Sequence, residues 1–406
     1  MECVERGLDP MTTNLVVADP ERSDKTICLA ITPAMKKLGI KNRCRIFEIP
    51  TGVEYIIAAP RMKRYIDYSA DIYEIYLGFF SKDDIYVYSI DEVFINIAPY
   101  MKKYRLTPKQ LAVKVIDEVF EKTGIRATCG IGTNLYLAKI ALDITAKHSP
   151  DFIGWLDEQK FCSELWDHTP ITDFWRIGKG TAERLAAKGI YTMGQIARAD
   201  ENMLYKLFGI DAELLIDHAF GREPVTIADI KKYKPKTNSL TSGQVLMRNY
   251  EFYEGKLIVR EMTDLLCLEL VERNVLTGSV TLTVGYSNAL KAPAAHGTKK
   301  LPFETSADSV IVPAAAELYE QIVDKQKPIR RITIVFNNLV TDDGFYQTDL
   351  FFEAPDKLLR NHKVQRAMVD IKKRFGKNSI LKGMNYEAGG TTIERNSQIG
   401  GHKSGE

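Results

Sequence analysis

Short apolar runs alternate with amphipathic stretches along this chain. Residues 15–18 (LVVA) and 26–31 (TICLAI) have the length and β-branched content of buried strands. Pro33 then opens a helix that Gly39 ends, and before them residues 2–7 are helical in character until Leu8-Asp9-Pro10 breaks the pattern. Residues 65–80 form an amphipathic helix leading into residues 86–97, YVYSIDEVFINI, where two β-branched and aromatic runs flank a polar tip at Ser89, Asp91 and Glu92. That is the pattern of two strands meeting at a turn. Thr107-Pro108 opens the next helix, with an apolar stripe at Leu111, Val115, Val119 and Phe120 and Gly124 at its end. A strand at 126–131 and a helix at 134–147 follow. Hairpin, helix, strand, helix predicts an α+β layer, with helices on one face of a mainly antiparallel sheet.

From Phe161 the pattern turns helical, and residues 174–181 (FWRIGKGT) followed by an amphipathic run read as helix, glycine hairpin, helix. A basic, proline-bearing run at 231–236 (KKYKPK) marks an interdomain linker. Beyond it come a strand (240–247), a long helix (253–273), two strands (279–286 and 299–303), a helix (309–324) and a strand (330–337). This is a ferredoxin-like βαββαβ unit. Residues 347–352 (QTDLFF) follow, and Val364, Met368, Ile371 and Phe375 then share a helix face. Residues 389–406, rich in Gly, Ser and Asn, are expected to be mobile.

At 406 residues and 45% hydrophobic content the chain can bury several cores, which implies two to four domains. A net charge of +2 gives no overall polyelectrolyte signal, so any nucleic-acid surface must come from local clusters. The six cysteines include no C-x-x-C pair and the six histidines have no ligand spacing. Both facts argue against zinc and against a disulfide framework, and for a reducing cytosol. No stretch has the length of a membrane span and no signal peptide opens the chain.

These limits direct attention to a few residues. Asp91 and Glu92 sit between core-grade stems, so the pair is held at a fixed place, as a divalent ion with oxygen ligands requires; without such stems it would be a solvated turn. Gly178, Lys179 and Gly180 allow backbone amides at a helix start to approach a phosphate, where the alternative is an ordinary helical turn. Arg330 and Arg331 open a strand whose alternation sends one of them to the solvent face, and a basic sheet face suits a phosphate backbone. Lys36 on the early helix can meet phosphates or simply cover a solvated face. The polar anchor and large apolar residues of 347–352 form either a plug for a partner's pocket or a terminal strand.

In order and spacing, S-I-D-E at 89–92, G-I-G-T-N-L-Y-L-A-K at 130–139, the W-R-I-G-K-G hairpin and Q-T-D-L-F resemble the Y-family translesion DNA polymerases, in particular their bacterial UmuC-like branch. The resemblance covers nearly the whole chain. It implies a multidomain right-hand polymerase: fingers at 1–61, palm at 62–158, helical thumb at 159–228, a basic linker at 229–238, a little finger at 239–345 and a clamp-binding tail at 346–406. Asp91 and Glu92 would be catalytic carboxylates for two magnesium ions about 4 Å apart, which activate the 3′-hydroxyl and stabilise the pyrophosphate leaving group. Lys147 resembles the family lysine on the incoming triphosphate. Many relatives place a Tyr and an Arg on that triphosphate from the fingers; this chain has Pro33 and Lys36 there. The implied partners are primer-template DNA, deoxynucleoside triphosphates and, through Gln347, Leu350 and Phe351, the bacterial sliding clamp. Low-fidelity synthesis past damage in the SOS response, in the cytoplasm, is the implied role.

The departure lies at the start. Relatives open with a strand and turn of the type D-x-x-x-[FY]-[FY]-A-x-V-E, which brings a further catalytic Asp and the aromatic residue that excludes ribonucleotides; only its final Glu is matched, as Glu2. The expectation is a truncated or misplaced start, a slot or unpaired edge in the palm, and little templated synthesis by the chain as given. The rival function is a non-catalytic DNA- and clamp-binding accessory protein. Magnesium-dependent binding of a deoxynucleotide at a primer terminus separates the two. A helix-hairpin-helix glycosylase lacks an evident catalytic Asp after its hairpin.

Overall fold

The computed structural model describes residues 1–235, 238–344 and 355–405, with the side chains of 148, 355 and 356 left out. It divides into two compact units, Met1–Tyr233 and Lys234–Glu406. Among the described residues no helix is long and apolar enough to cross a membrane.

The first unit opens with α1 (Glu2–Glu5), β1 (Leu15–Val17), β2 (Ala30–Ile31), α2 (Pro33–Lys37) and β3 (Ile56–Ala58). The strands form a sheet of order β2-β1-β3, with β1 parallel to β3. Val16, Cys28 and Met35 fill its core, and Gly39 ends α2 at a φ of +80°. The carboxylate of Glu2 is buried among Arg61, Tyr65 and Arg6, accepting from Arg61 Nε at 2.9 Å and Tyr65 OH at 3.0 Å. The last residue of the opening motif thus fastens α1 to α3 (Met62–Phe79).

Next come β4 (Ile85–Val87), β5 (Val93–Ile95), α4 (Met101–Tyr104), α5 (Pro108–Thr123), β6 (Cys129–Gly132), α6 (Leu135–Ile140) and β7 (Ile153–Leu156). The ends of α5 follow its sequence. Thr107 Oγ1 accepts from the Gln110 amide at 3.3 Å, Gln110 Oε1 accepts from the Thr107 amide at 2.9 Å, and Gly124 adopts a φ of +69°. Leu111, Val115 and Val119 are buried. Phe120 is 43% exposed instead, with the Arg126 guanidinium 5.0 Å above its ring.

The single antiparallel layer expected here is split. β4 and β5 form an antiparallel hairpin, whereas β6 pairs in parallel with β7, a strand absent from the pattern reading. Among the described residues nothing joins β5 to β6. A cavity of about 640 Å³ lies between them, lined by Val93, Ile95, Leu111, Val115, Ile131 and Leu142. It is a slot with core-grade walls and a strand edge on either side.

On the other flank β6 and α6 approach so closely that a Cβ at Gly130 would lie 2.1 Å from the Ala138 carbonyl oxygen, and one at Gly132 would lie 2.1 Å from the Ala138 nitrogen. Gly132→Ala must push α6 off the strand, at an expected cost of at least about 3 kcal/mol. A fall in the urea midpoint of tryptophan fluorescence reads this, and an unchanged midpoint would refute the close packing. The remainder of the unit is helical: α7 (Glu158–Leu165), α8 (Lys179–Ala186), α9 (Met193–Ala197), α10 (Glu201–Phe208), α11 (Asp211–Ala219) and α12 (Ile227–Lys232). Two residues of the basic run, Lys231 and Lys232, therefore belong to a helix, and Lys231 Nζ reaches the Asp83 carbonyl at 3.0 Å.

The second unit runs β8 (Leu240–Tyr250), α13 (Phe252–Arg273), β9 (Val275–Tyr286), β10 (Ala295–Thr305), α14 (Asp308–Ile322) and β11 (Ile329–Asn337), the expected βαββαβ order. The strands lie β10-β9-β11-β8, all neighbours antiparallel, and the short β12 (Val340–Thr341) adds to β9. Leu282, Val284, Ile332, Ile334 and Phe336 point from the sheet into the core shared with Ile258 of α13 and Ile311 of α14.

Then follow α15 (Pro355–Phe375), α16 (Thr392–Asn396), β13 (Gln398–Ile399) and β14 (His402–Lys403). The buried face of α15 carries Leu358, Gln365, Met368 and Val369, while Val364 and Phe375 are exposed. The segment expected to be mobile is folded as far as residue 405, with Thr391, Thr392 and Ser404 buried. Its Thr391, together with Lys382 and Asn385 just ahead of it in the chain, meets charges that α13 and α14 bury. Asn385 Nδ2 and the Thr391 amide donate to Glu261 at 2.9 and 2.8 Å, and Lys382 binds both Asp264 and Asp308.

Candidate active site

Asp91 and Glu92 stand at the tip of the β4–β5 hairpin. The turn is closed by the Tyr88 and Ser89 amides, which both donate to the Glu92 carbonyl at 3.0 and 3.1 Å. Asp91 is exposed and its carboxylate accepts from Ser89 Oγ at 2.7 Å. Glu92 is half-buried, and its Oε1 accepts from Lys139 Nζ at 2.9 Å. Lys139 is the lysine of the G-I-G-T-N-L-Y-L-A-K segment. It lies on α6, whose amino end is capped by Asn134 Oδ1 accepting from the Leu137 amide at 2.8 Å. Burial works against its charge, but bonds to Glu92 and Asp143 overcome this and hold its pKa above the ordinary lysine value.

A run of aromatic rings fixes the hairpin. Trp175 Nε1 donates to Tyr88 OH at 3.1 Å, and the two rings meet edge-on at 5.8 Å. Trp175 also stacks on His218 at 6.4 Å, and His218 on Tyr136 at 3.8 Å. His218 is buried and pairs with Glu223 at 3.1 Å. Burial lowers its pKa below the usual 6.5, and Glu223 only partly offsets this. The unfolded chain therefore takes up this proton first on acidification, so the unit loses stability as pH falls below 6.5. Fluorescence melts of the first unit should show that slope, and His218→Gln should flatten it. A slope unchanged by the substitution would assign it to other groups.

The remaining candidates are more scattered. Lys36 and Lys147 are exposed, and neither has an ion pair among the described residues. Gly178 caps α8, and it, Lys179 and Gly180 are all exposed. The hairpin's left-handed position is taken by Arg176, at a φ of +71°, while a Cβ at Gly178 or Gly180 would meet nothing. These glycines leave open space in front of the α8 amides and satisfy no conformational need of the turn. In the second unit Arg331 points from the exposed sheet face and Arg330 lies half-buried at the bulge between Ile329 and Arg331. That face is richer in threonine than in charge: Thr281 bonds Thr298 at 2.7 Å and Thr283 bonds His296 at 2.9 Å. Gln347, Leu350 and Phe351 lie outside the described residues.

Both units match known proteins. Residues 2–143 match the impB/mucB/samB family, and residues 238–350 match the C-terminal domain of the same family. The putative UV-damage repair protein UvrX of Bacillus subtilis is 28% identical over 407 residues, covering 100% of this chain and 94% of that protein. DNA polymerase IV 2 of the same organism is 29% identical, with 98% and 95% covered, and its namesake in Halalkalibacterium halodurans is 28% identical, with 98% and 96% covered. Among solved structures a Y-family DNA polymerase chimera shares the fold with a TM-score of 0.63 at 22% identity, over 83% of this chain and 96% of that one. Fold and matches together define a Y-family translesion DNA polymerase. The chain belongs to the impB/mucB/samB family.

Proposed function

We propose that this chain performs template-directed nucleotidyl transfer at a primer terminus, with Asp91 and Glu92 as its catalytic carboxylates. The observation that carries this reading is the rigid acidic tip, tied to the helices by Trp175 and to α6 by Lys139. The donor set is two hard carboxylate oxygens, which suits magnesium, an ion commonly held by one or two carboxylates with water and substrate phosphates completing its shell. Among the described residues no group of three His, Cys, Asp or Glu converges, so a second ion calls for oxygen ligands beyond these two. Bound at the tip, magnesium would neutralise charge on the triphosphate and the leaving pyrophosphate. The protein's share is then positioning.

Lys36 and Lys147, as exposed point charges, are assigned to the triphosphate. The Gly178-Lys179-Gly180 hairpin and Arg330 and Arg331 are assigned to the nucleic-acid backbone, with fingers, palm, thumb and little finger divided as the resemblance implies. Gln347, Leu350 and Phe351 are assigned to a sliding clamp, with clamp-stimulated extension as the readout. The test of the whole reading is equilibrium binding of the template-matched deoxynucleotide to the protein on a dideoxy-terminated primer. Binding that needs both magnesium and the matching template base is expected. Binding blind to both would favour the accessory-protein reading.

A further inference from the structure

Lys139 is buried beside the acidic tip, 7% exposed on a helix that Gly130 and Gly132 let dock tightly against β6. Its ammonium has two carboxylate partners, Glu92 Oε1 at 2.9 Å and Asp143 Oδ2 at 3.0 Å, and lies 5.9 Å from the Tyr88 ring centroid. Asp143 lies four residues on, in the π-helical turn Ala141–Thr145 that continues α6, so the lysine is anchored from its own side while it reaches across to the hairpin. A buried ammonium shared by a structural carboxylate and a candidate metal ligand is a costly arrangement to maintain for packing alone.

We propose that Lys139 is a positioning residue: its ammonium, steadied by Asp143, fixes the Glu92 carboxylate in one orientation and competes with a divalent cation for it. Asp143 sets how much of the lysine's charge falls on Glu92. The competition keeps the tip from holding a metal ion tightly before nucleotide arrives with its own phosphate oxygens, and the fixed orientation leaves Glu92 ready when it does. This rests on the proposed role of Asp91 and Glu92. The arrangement has a signature that packing would not give, since the two partners of one ion pair should shift metal affinity in opposite directions.

The test is Mn²⁺ binding to the full chain, read by electron paramagnetic resonance, with single-nucleotide incorporation measured alongside. Lys139→Met removes the competing cation and should tighten Mn²⁺ binding about tenfold, while the now unheld Glu92 slows the maximal rate of incorporation by a similar factor with little change in KM for nucleotide. Asp143→Asn, at a half-buried position that tolerates an isosteric change, should weaken Mn²⁺ binding severalfold by concentrating the lysine on Glu92. Lys139→Arg should restore most of the parent affinity. Mn²⁺ affinities in Lys139→Met and Asp143→Asn that are unchanged, or that move the same way, would overturn the proposal. Failure of the parent chain to bind Mn²⁺, or binding untouched by Asp91→Ala, would instead overturn the catalytic reading beneath it.

Discussion

Asp91→Ala is expected to lower nucleotide incorporation at least about a thousandfold, measured in whichever form of the protein extends a primer fastest. The carboxylate is exposed, and its bond to Ser89 Oγ stays within the turn, so no core contact is lost with it. Unfolding midpoints should be those of the parent to within about 0.5 kcal/mol, because surface changes away from caps and cores rarely cost more. A large loss of rate with intact stability would mean that Asp91 acts on the reacting groups. Retention of even a tenth of the parent rate would remove Asp91 from the chemistry and leave the hairpin tip a solvated turn.

The largest stability loss is expected in the second unit. Lys382→Met should cost about 3–5 kcal/mol, because it leaves Asp264 and Asp308 facing each other without their shared cation. Asp264 is 4% exposed and Asp308 8% exposed. Burial already raises the pKa of Asp264 against the pull of Lys382; for Asp308 burial acts the same way, but Lys382 and Asn361 overcome it and hold its pKa low. Without the lysine both would titrate higher. The chain's three tryptophans, Trp155, Trp166 and Trp175, all lie in the first unit, which separates the readouts. The circular dichroism melt should shift down while the fluorescence melt stays in place. A circular dichroism melt identical to that of the parent would show that the C-terminal segment does not clasp α13 and α14.

Local chemistry made much of this architecture readable. Thr107, Pro108 and Gly124 delimit α5 almost to the residue, and the βαββαβ order follows from alternating strand and helix periods. What escaped reading depends on contacts between distant segments. The parallel pairing of β6 with β7 cannot be inferred from four residues of IGWL. Lys139 was legible as part of a motif but not as a site residue, since a lysine on an amphipathic helix normally covers solvent; only the glycine-permitted docking of α6 buries it. The Gly, Ser and Asn content of the tail suggested mobility because composition registers missing apolar area. It is blind to complementarity between the Thr391 amide and a buried Glu261. Trp175 carried a usable signal, a tryptophan beside a glycine hairpin, yet its grip on Tyr88 appears only in three dimensions.

The most direct test of the acidic tip is a crystal of the protein on primer-template DNA with Mn²⁺ and a non-hydrolysable matched nucleotide. An anomalous peak bound by Asp91 and Glu92 and touching the triphosphate is the predicted result. A nucleotide bound elsewhere, or a triphosphate at the hairpin with no metal on either carboxylate, would contradict the account.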